Sequence, residues 1–349
     1  MLRSMMTLAR WLGPWADSGR VPHVAVRDDD LSGIRVRRYV SDGSPARPRG
    51  RTFLIAPGLH YAGPDDPRMD RFCRVLAAAG HQVIAPFIPS YLALTPDAQA
   101  IADFERVFLA RARWTGDAAE RPIVFSISFG SLLALALAAR HGDAIDRLVL
   151  FGPYADFHAT MRFCLTGEVA SGRVAMRDPL NQPVVLMNLL AEIEPVCADP
   201  EALRIAWRRY VERTWGRPEM KARERFTAIA EALAPEVPEA VRDLFHVGIG
   251  TRPGAADVAI AALAKFDARA LDPSPYLPDV RCQVDLVHGT DDDVIPFEQT
   301  LELARRLPNA DVRVHVTGLY GHTGAQRPQL SALAREMRTM IRVLRVLSG

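Results

Sequence analysis

Pro122-Ile123-Val124-Phe125-Ser126-Ile127-Ser128-Phe129-Gly130-Ser131 runs directly into Leu132-Leu133-Ala134-Leu135-Ala136-Leu137-Ala138-Ala139. The first part is a short apolar run, the pattern of a strand buried on both faces. The second is apolar nearly all round and reads as a buried helix. A strand that turns at once into a helix strains the residue at the turn. The chain can then pass itself that closely only if the residues two before and two after are small. Ser126 and Gly130 meet this need around Ser128, which would stand exposed at the helix N-terminus. The register cannot slide back by two, because Val124 would then occupy the first small position. An ordinary strand end carrying two serines fits the same pentapeptide, so the rest of the chain has to decide.

The chain is 349 residues long, which suggests a core domain with an insertion. With 49% apolar and 24% charged residues its composition is that of a globular protein. A net charge of +2 gives no general case for binding nucleic acid. Cys73, Cys164, Cys197 and Cys282 are scattered without paired spacing and read as buried thiols, neither a disulfide framework nor a metal site. Residues 1–15 carry Arg3 and Arg10 and are broken at Gly13-Pro14, so they do not fit a secretory signal. No stretch approaches a membrane span, and a cytoplasmic location is the expectation. Leu2, Met5, Met6, Ala9 and Leu12 could share one face of an N-terminal helix. Such a helix either docks on the body of the protein or, being amphipathic and basic, touches a membrane surface or guards substrate entry.

Residues 23–27 and 34–40 read as strands joined by a turn at 28–33, followed by a Pro-, Gly- and Arg-rich loop at 41–51. Strands are expected at 52–56, 82–87 and 145–151, and helices at 69–79 and 97–114. Strands alternating with helices of this length imply a mostly parallel sheet with helices on both faces. From about residue 156 to 270 the rhythm gives way to helical spacing interrupted by prolines. It resumes with a strand at 282–288, a helix at 297–307, a strand at 312–316 and a last helix at 329–347. Hence the expected division is a core of 1–154 and 273–349 interrupted by a helical cap at 155–272.

The late strand ends in His288-Gly289-Thr290-Asp291-Asp292-Asp293-Val294-Ile295-Pro296, and the next in Thr317-Gly318-Leu319-Tyr320-Gly321-His322-Thr323-Gly324. An early strand ends in Pro57-Gly58-Leu59-His60-Tyr61. A serine hydroxyl needs a base to take its proton, and a histidine base needs a carboxylate to hold its tautomer. Together these stretches resemble the α/β-hydrolase family. Ser126-Ile127-Ser128-Phe129-Gly130 resembles its G-x-S-x-G nucleophile elbow with serine for the first glycine. The turn after the late strand resembles its H-G-x-x-D-x-x-V-P pattern, with Ile295 for the valine. The order Ser, acid, His is also the family's.

The resemblance implies Ser128 as nucleophile, Asp292 as acid and His322 as base. Asp291 and Asp293 are close enough in sequence for an error of one residue. It also implies oxyanion donors at the Phe129 amide and, from the early loop, the Leu59 amide, with His60 as alternative. His60 and Tyr61 would border the substrate. Of the other histidines, His288 is expected to plug a strand end and His315 to lie within a strand. His23, His81, His141, His158 and His246 carry no motif.

Within the cap, Met161, Met187, Trp207, Tyr210, Trp215 and Phe226 could line an apolar pocket or simply hold the cap together. Arg204, Arg208, Arg209, Arg213, Arg217, Lys221, Arg223 and Arg225 form either a solvated helix face or a rim for an anionic substrate. The expected activity is a serine esterase or lipase-like hydrolase acting on a small ester, acyl or aromatic, without metal or organic cofactor. An acyltransferase and a non-catalytic binding protein share the same signature. No G-x-G-x-x-G follows the first strand, which argues against a dinucleotide enzyme. Oligomeric state is not legible.

Overall fold

The computed structural model describes residues 2–13, 16, 17, 19–41, 50–318 and 330–349. The proline- and arginine-containing stretch at 42–49, Met1, Pro14, Trp15, Ser18 and the loop carrying His322 lie outside the described residues. An eight-stranded sheet has the order β1-β2-β4-β3-β5-β6-β7-β8. Its strands are β1 (Ala25–Leu31), β2 (Ile34–Val40), β3 (Thr52–Ala56), β4 (Gln82–Pro86), β5 (Ile123–Ile127), β6 (Arg147–Phe151), β7 (Gln283–Gly289) and β8 (Asp311–Thr317). β2 is antiparallel to β1 and β4; the remaining neighbours are parallel.

The helices of the body are α1 (Leu2–Leu12), α2 (Pro67–Ala78), α3 (Pro89–Leu92), α4 (Gln99–Leu109), α5 (Ala112–Thr115) and α6 (Gly130–His141). Between β6 and β7 come α7 (Phe157–Thr166), α8 (Gln182–Asn188), α9 (Pro200–Thr214), α10 (Arg223–Leu233), α11 (Glu239–Ile249) and α12 (Ala255–Lys265). α13 (Glu298–Arg305) and α14 (Leu330–Leu347) complete the set. No strand interrupts the described residues of the β6–β7 insertion; its one β-bridge joins Glu168 and Val174.

Because side chains alternate along a strand, each central strand feeds both layers. Phe53, Ile55, Phe125 and Val149 face α1, α2 and α14, packing with Leu8, Val75 and Leu344. Leu54, Val124, Leu148 and Leu150 face the other way, against Phe104 of α4, Leu135 of α6 and the insertion. α6 is buried from Gly130 through Ala138, as its unbroken apolar sequence requires. Asp66 caps α2 by accepting from the amides of Arg68 (2.8 Å) and Met69 (3.4 Å), with Pro67 in the first turn.

Three local expectations are corrected. The acidic run 28–30 is strand, and the turn shrinks to Ser32 and Gly33, both at positive φ, the geometry that suits a two-residue hairpin. The acids are accommodated because Asp28 pairs with Arg35 and Arg37 across the hairpin, at 2.6 and 2.8 Å. The helix expected at 97–114 breaks between Leu109 and Ala112. There the Phe108 carbonyl accepts from the Arg111 amide and guanidinium, at 3.2 and 3.1 Å, in place of the amide four residues on. The buried stripe of α1 centres on Leu8, while Leu2 and Met6 stay 71% and 65% exposed. α1 packs on α2 and α14, which is the docked arrangement. Among the described residues no helix is long and apolar enough to cross a membrane.

His81 fastens α1 to the sheet. Its Nδ1 accepts from the Arg51 amide and its Nε2 meets the Ser4 hydroxyl, both at 3.1 Å. Burial pushes its pKa down to about 4, so the folded protein holds the ring neutral where the unfolded chain, near 6.5, takes a proton. Stability from this group is complete above pH 6.5 and is lost as pH falls toward 4, at about 1.4 kcal/mol for each pH step. Urea melts between pH 7 and 4.5 should show that slope, and His81→Gln should flatten it. An unaltered slope in the variant would remove His81 as its source.

Candidate active site

The elbow has the geometry its sequence requires. Ser128 sits between β5 and α6 at φ 52°, in the left-handed region that costs a non-glycine residue energy. Its amide donates to the Phe151 carbonyl (2.8 Å) and its own carbonyl accepts from Ser131 (2.9 Å). The Tyr91 hydroxyl holds the Phe129 carbonyl at 3.1 Å. A Cβ on Gly130 would lie 2.2 Å from the Ala56 carbonyl oxygen and 2.6 Å from that of Pro57. Gly130→Ala is therefore expected to cost about 3 kcal/mol or more, read as a lowered urea midpoint; a wild-type midpoint would mean that the elbow has room to relax. Ser126, in the other small position, is fully buried and its hydroxyl finds no hydrogen-bond partner among the described residues. That is the cost of serine where a glycine would serve.

Beside the elbow runs the loop after β3. Gly58 lies against the Ile127 carbonyl, where a Cβ would come within 3.1 Å. Among the described residues neither the Leu59 nor the Phe129 amide donates to a protein acceptor. Leu59 and Phe129 both border a cavity that reaches Ser128, so two amides without a partner among the described residues lie in its neighbourhood, as an oxyanion site needs.

The register aligns the C-terminal ends of the parallel strands. Ala56 pairs with Ser126, Ile127 with Phe151, Phe151 with Val287, and Gly289 with Thr317. The acid turn follows β7. The Asp292 Oδ1 accepts from the amides of Val294 and Ile295, both at 2.9 Å, and its Oδ2 lies 3.5 Å from the His288 Nε2. Burial, the largest influence, pushes the Asp292 pKa up; His288 and the two amides outweigh it and hold the carboxyl below its usual value of 3.8. One glycine separates elbow and acid: a Cβ on Gly152, which follows Phe151, would be 3.5 Å from Asp292 Oδ2. Ser128 and Asp292 line the same cavity of about 480 Å³.

A mostly parallel sheet in this strand order, a strained serine between β5 and α6, and an acid turn past β7 decide the architecture. The fold is that of the α/β-hydrolases. No protein-family model matches the chain, and no curated protein does. Among solved structures it is similar to a serine hydrolase from Cycloclasticus zankles, with 15% identity over 93% of this chain and 97% of that one and a TM-score of 0.43. It is also similar to a 2-hydroxy-6-oxo-6-phenylhexa-2,4-dienoate hydrolase from Rhodococcus, with 17% identity, 93% and 99% coverage and a TM-score of 0.46. An acylaminoacyl peptidase from Pyrococcus horikoshii gives 12% identity and a TM-score of 0.47; the alignment covers 94% of this chain but 41% of the peptidase.

On this α/β-hydrolase scaffold the other sequence-derived positions can be placed. Leu59 and His60 line the large cavity with Ser128 and Asp292, and Phe129 lines a smaller one that also reaches Ser128. Tyr61 stands behind, stacked on His60 at 4.5 Å, and Trp215 packs on the same imidazole at 5.6 Å. Burial lowers the His60 pKa and Asp66, 3.1 Å away, only partly restores it. His322 lies outside the described residues. At the described end of β8 the Thr317 carbonyl accepts from the Thr290 amide of the acid turn at 3.0 Å. His288 plugs its strand end, fully buried between the Thr300 hydroxyl (2.6 Å) and the Ile295 carbonyl (2.8 Å).

Of the possible pocket residues in the insertion, Met161 and Trp215 line a cavity, whereas Met187, Trp207, Tyr210 and Phe226 pack inside the insertion. Of the eight cationic residues only Arg217 and Lys221 reach the large cavity. Arg208 and Arg209 are engaged with Glu212 and Glu236. Lys221 is held by Asp178 at 3.0 Å and by a short contact with Asp293, which bonds the insertion to the acid turn. Burial lowers the Lys221 pKa, and the two carboxylates more than compensate, raising it.

Asn181 borders both cavities with its side-chain amide nitrogen buried and without a partner among the described residues. No motif or periodicity marks it in the sequence. Among the described residues no group of three His, Cys, Asp or Glu side chains is placed to hold a metal ion.

Proposed function

We propose that this protein is a serine hydrolase of carboxylic esters. The observation that carries the reading is Ser128, strained at the strand–helix junction, flanked by two uncommitted amides and sharing a cavity with an ionised Asp292. A residue held at positive φ without glycine's freedom points to a use for that geometry. The serine hydroxyl adds to the ester carbonyl as His322 takes its proton. The oxyanion is received by the Phe129 and Leu59 amides, each such donor being worth roughly 3–4 kcal/mol of barrier. His322 then protonates the departing alcohol, Asp292 steadies the imidazolium, and water releases the acyl group through the same base. The dipole of α6, which starts at Gly130, favours the negative charge at its N-terminus. The insertion acts as a cap: Leu180, Asn181 and Trp215 cover the large cavity and limit water. No cofactor enters these steps.

A fluorophosphonate probe should label the protein at Ser128 alone, located by peptide mass spectrometry. Labelling elsewhere, or none, would defeat the reading.

A further inference from the structure

Ser128 stands where two dissimilar cavities meet. The larger, about 480 Å³, carries every charged side chain that borders either of them, including Asp66, Arg68, Asp178, Arg217, Lys221 and Asp292. The smaller, about 70 Å³, has no charged side chain among its described lining residues and is walled by Phe129, Phe157, Met161, Val184, Leu189 and Leu271. The two share Leu59, Ser128, Asn181, Trp215 and Val294.

The chemistry orients a substrate across this junction. The base that protonates the leaving alcohol must also touch the acid that orients it, so the alcohol departs on the side of Asp292, which borders only the large cavity. The acyl chain then points the other way, past the Phe129 oxyanion donor.

Resting on the serine-hydrolase reading, we propose that the small apolar cavity is the acyl site and that the preferred substrates are esters of short aliphatic acids with large or polar alcohol parts. A water-sized group needs roughly 10–15 Å³ of such space, so the site takes about five heavy atoms beyond the carbonyl. Each methylene accommodated should raise kcat/KM about fourfold, until the chain meets the wall of Phe157 and Leu271.

The test is a pair of ester series, one lengthening the acid from acetyl to dodecanoyl and one lengthening the alcohol of an acetate. The expected result is a rise to about pentanoyl or hexanoyl and a fall of at least about tenfold by decanoyl, with no such ceiling on the alcohol side. Met161→Ala should move the optimum to longer acids and Val184→Phe to acetyl; either variant decides if the other fails to fold. A ceiling on the alcohol side, or an acyl profile unaffected by both substitutions, overturns the acyl-site assignment while ester turnover and Ser128 labelling persist. Absence of turnover and of labelling by every chain length overturns the underlying reading, and the assignment with it.

Discussion

Ser128→Ala should abolish hydrolysis of p-nitrophenyl esters and leave the protein folded. Removing the nucleophile of a serine hydrolase costs on the order of 10⁶ in kcat, leaving what oxyanion donors and binding supply alone. Stability should hardly change. The Ser128 side chain is half-buried, lines both cavities and makes no hydrogen bond among the described residues, so alanine removes no contact. Alanine meets the same strain at φ 52° that serine already bears. The loss should therefore appear in kcat, with an unchanged urea midpoint and unchanged circular dichroism. Turnover within a few fold of the parent would exclude Ser128 as the attacking group.

What the sequence revealed and what it hid have physical causes. The elbow is legible because steric exclusion is local: Ser126, Ser128 and Gly130 lie within five residues, and only small side chains fit where Gly130 meets the Ala56 carbonyl. The acid turn is legible for the same reason, since the Asp292 Oδ1 bonds amides two and three residues ahead. Hidden features depend on partners far along the chain. Asp28 to Asp30 look like a turn until Arg35 and Arg37 are seen opposite, in a register that only the completed hairpin sets. The stripe of α1 is misjudged because nothing in eleven residues says that Leu8 meets α2 and α14. Lys221 is one more cation in a basic stretch until the chain brings Asp178 and Asp293 to it. Asn181 carries no pattern at all, since a single amide bordering a cavity leaves no periodic trace.

Asp292 and Asp293, adjacent in sequence, should fail in opposite ways. Asp292→Asn keeps an oxygen for the Val294 and Ile295 amides, so the turn should survive. What it loses is the negative charge on the oxygen next to Gly152, in a residue that lines the cavity shared with Ser128. An amide there can neither hold the required tautomer nor balance an imidazolium, and the expected loss is about 10⁴ in kcat with little change in midpoint. Asp293 is 3% exposed and engages Lys221, which keeps Asp178 as its other partner. Asp293→Asn removes one charge from this buried group and should destabilise by about 2 kcal/mol, less than the full loss of a buried pair because one carboxylate remains. In a chain of 349 residues that corresponds to a Tm lower by roughly 3 °C, while kcat stays within about tenfold. Asp291→Asn should do neither, because its buried Oδ1 has no partner among the described residues. If Asp291 or Asp293 proves the residue on which kcat depends, the acid lies one position from where the Ile295-Pro296 end of the turn places it, and the pairing of Asp292 with Ser128 across Gly152 is a neighbourhood without a chemical role.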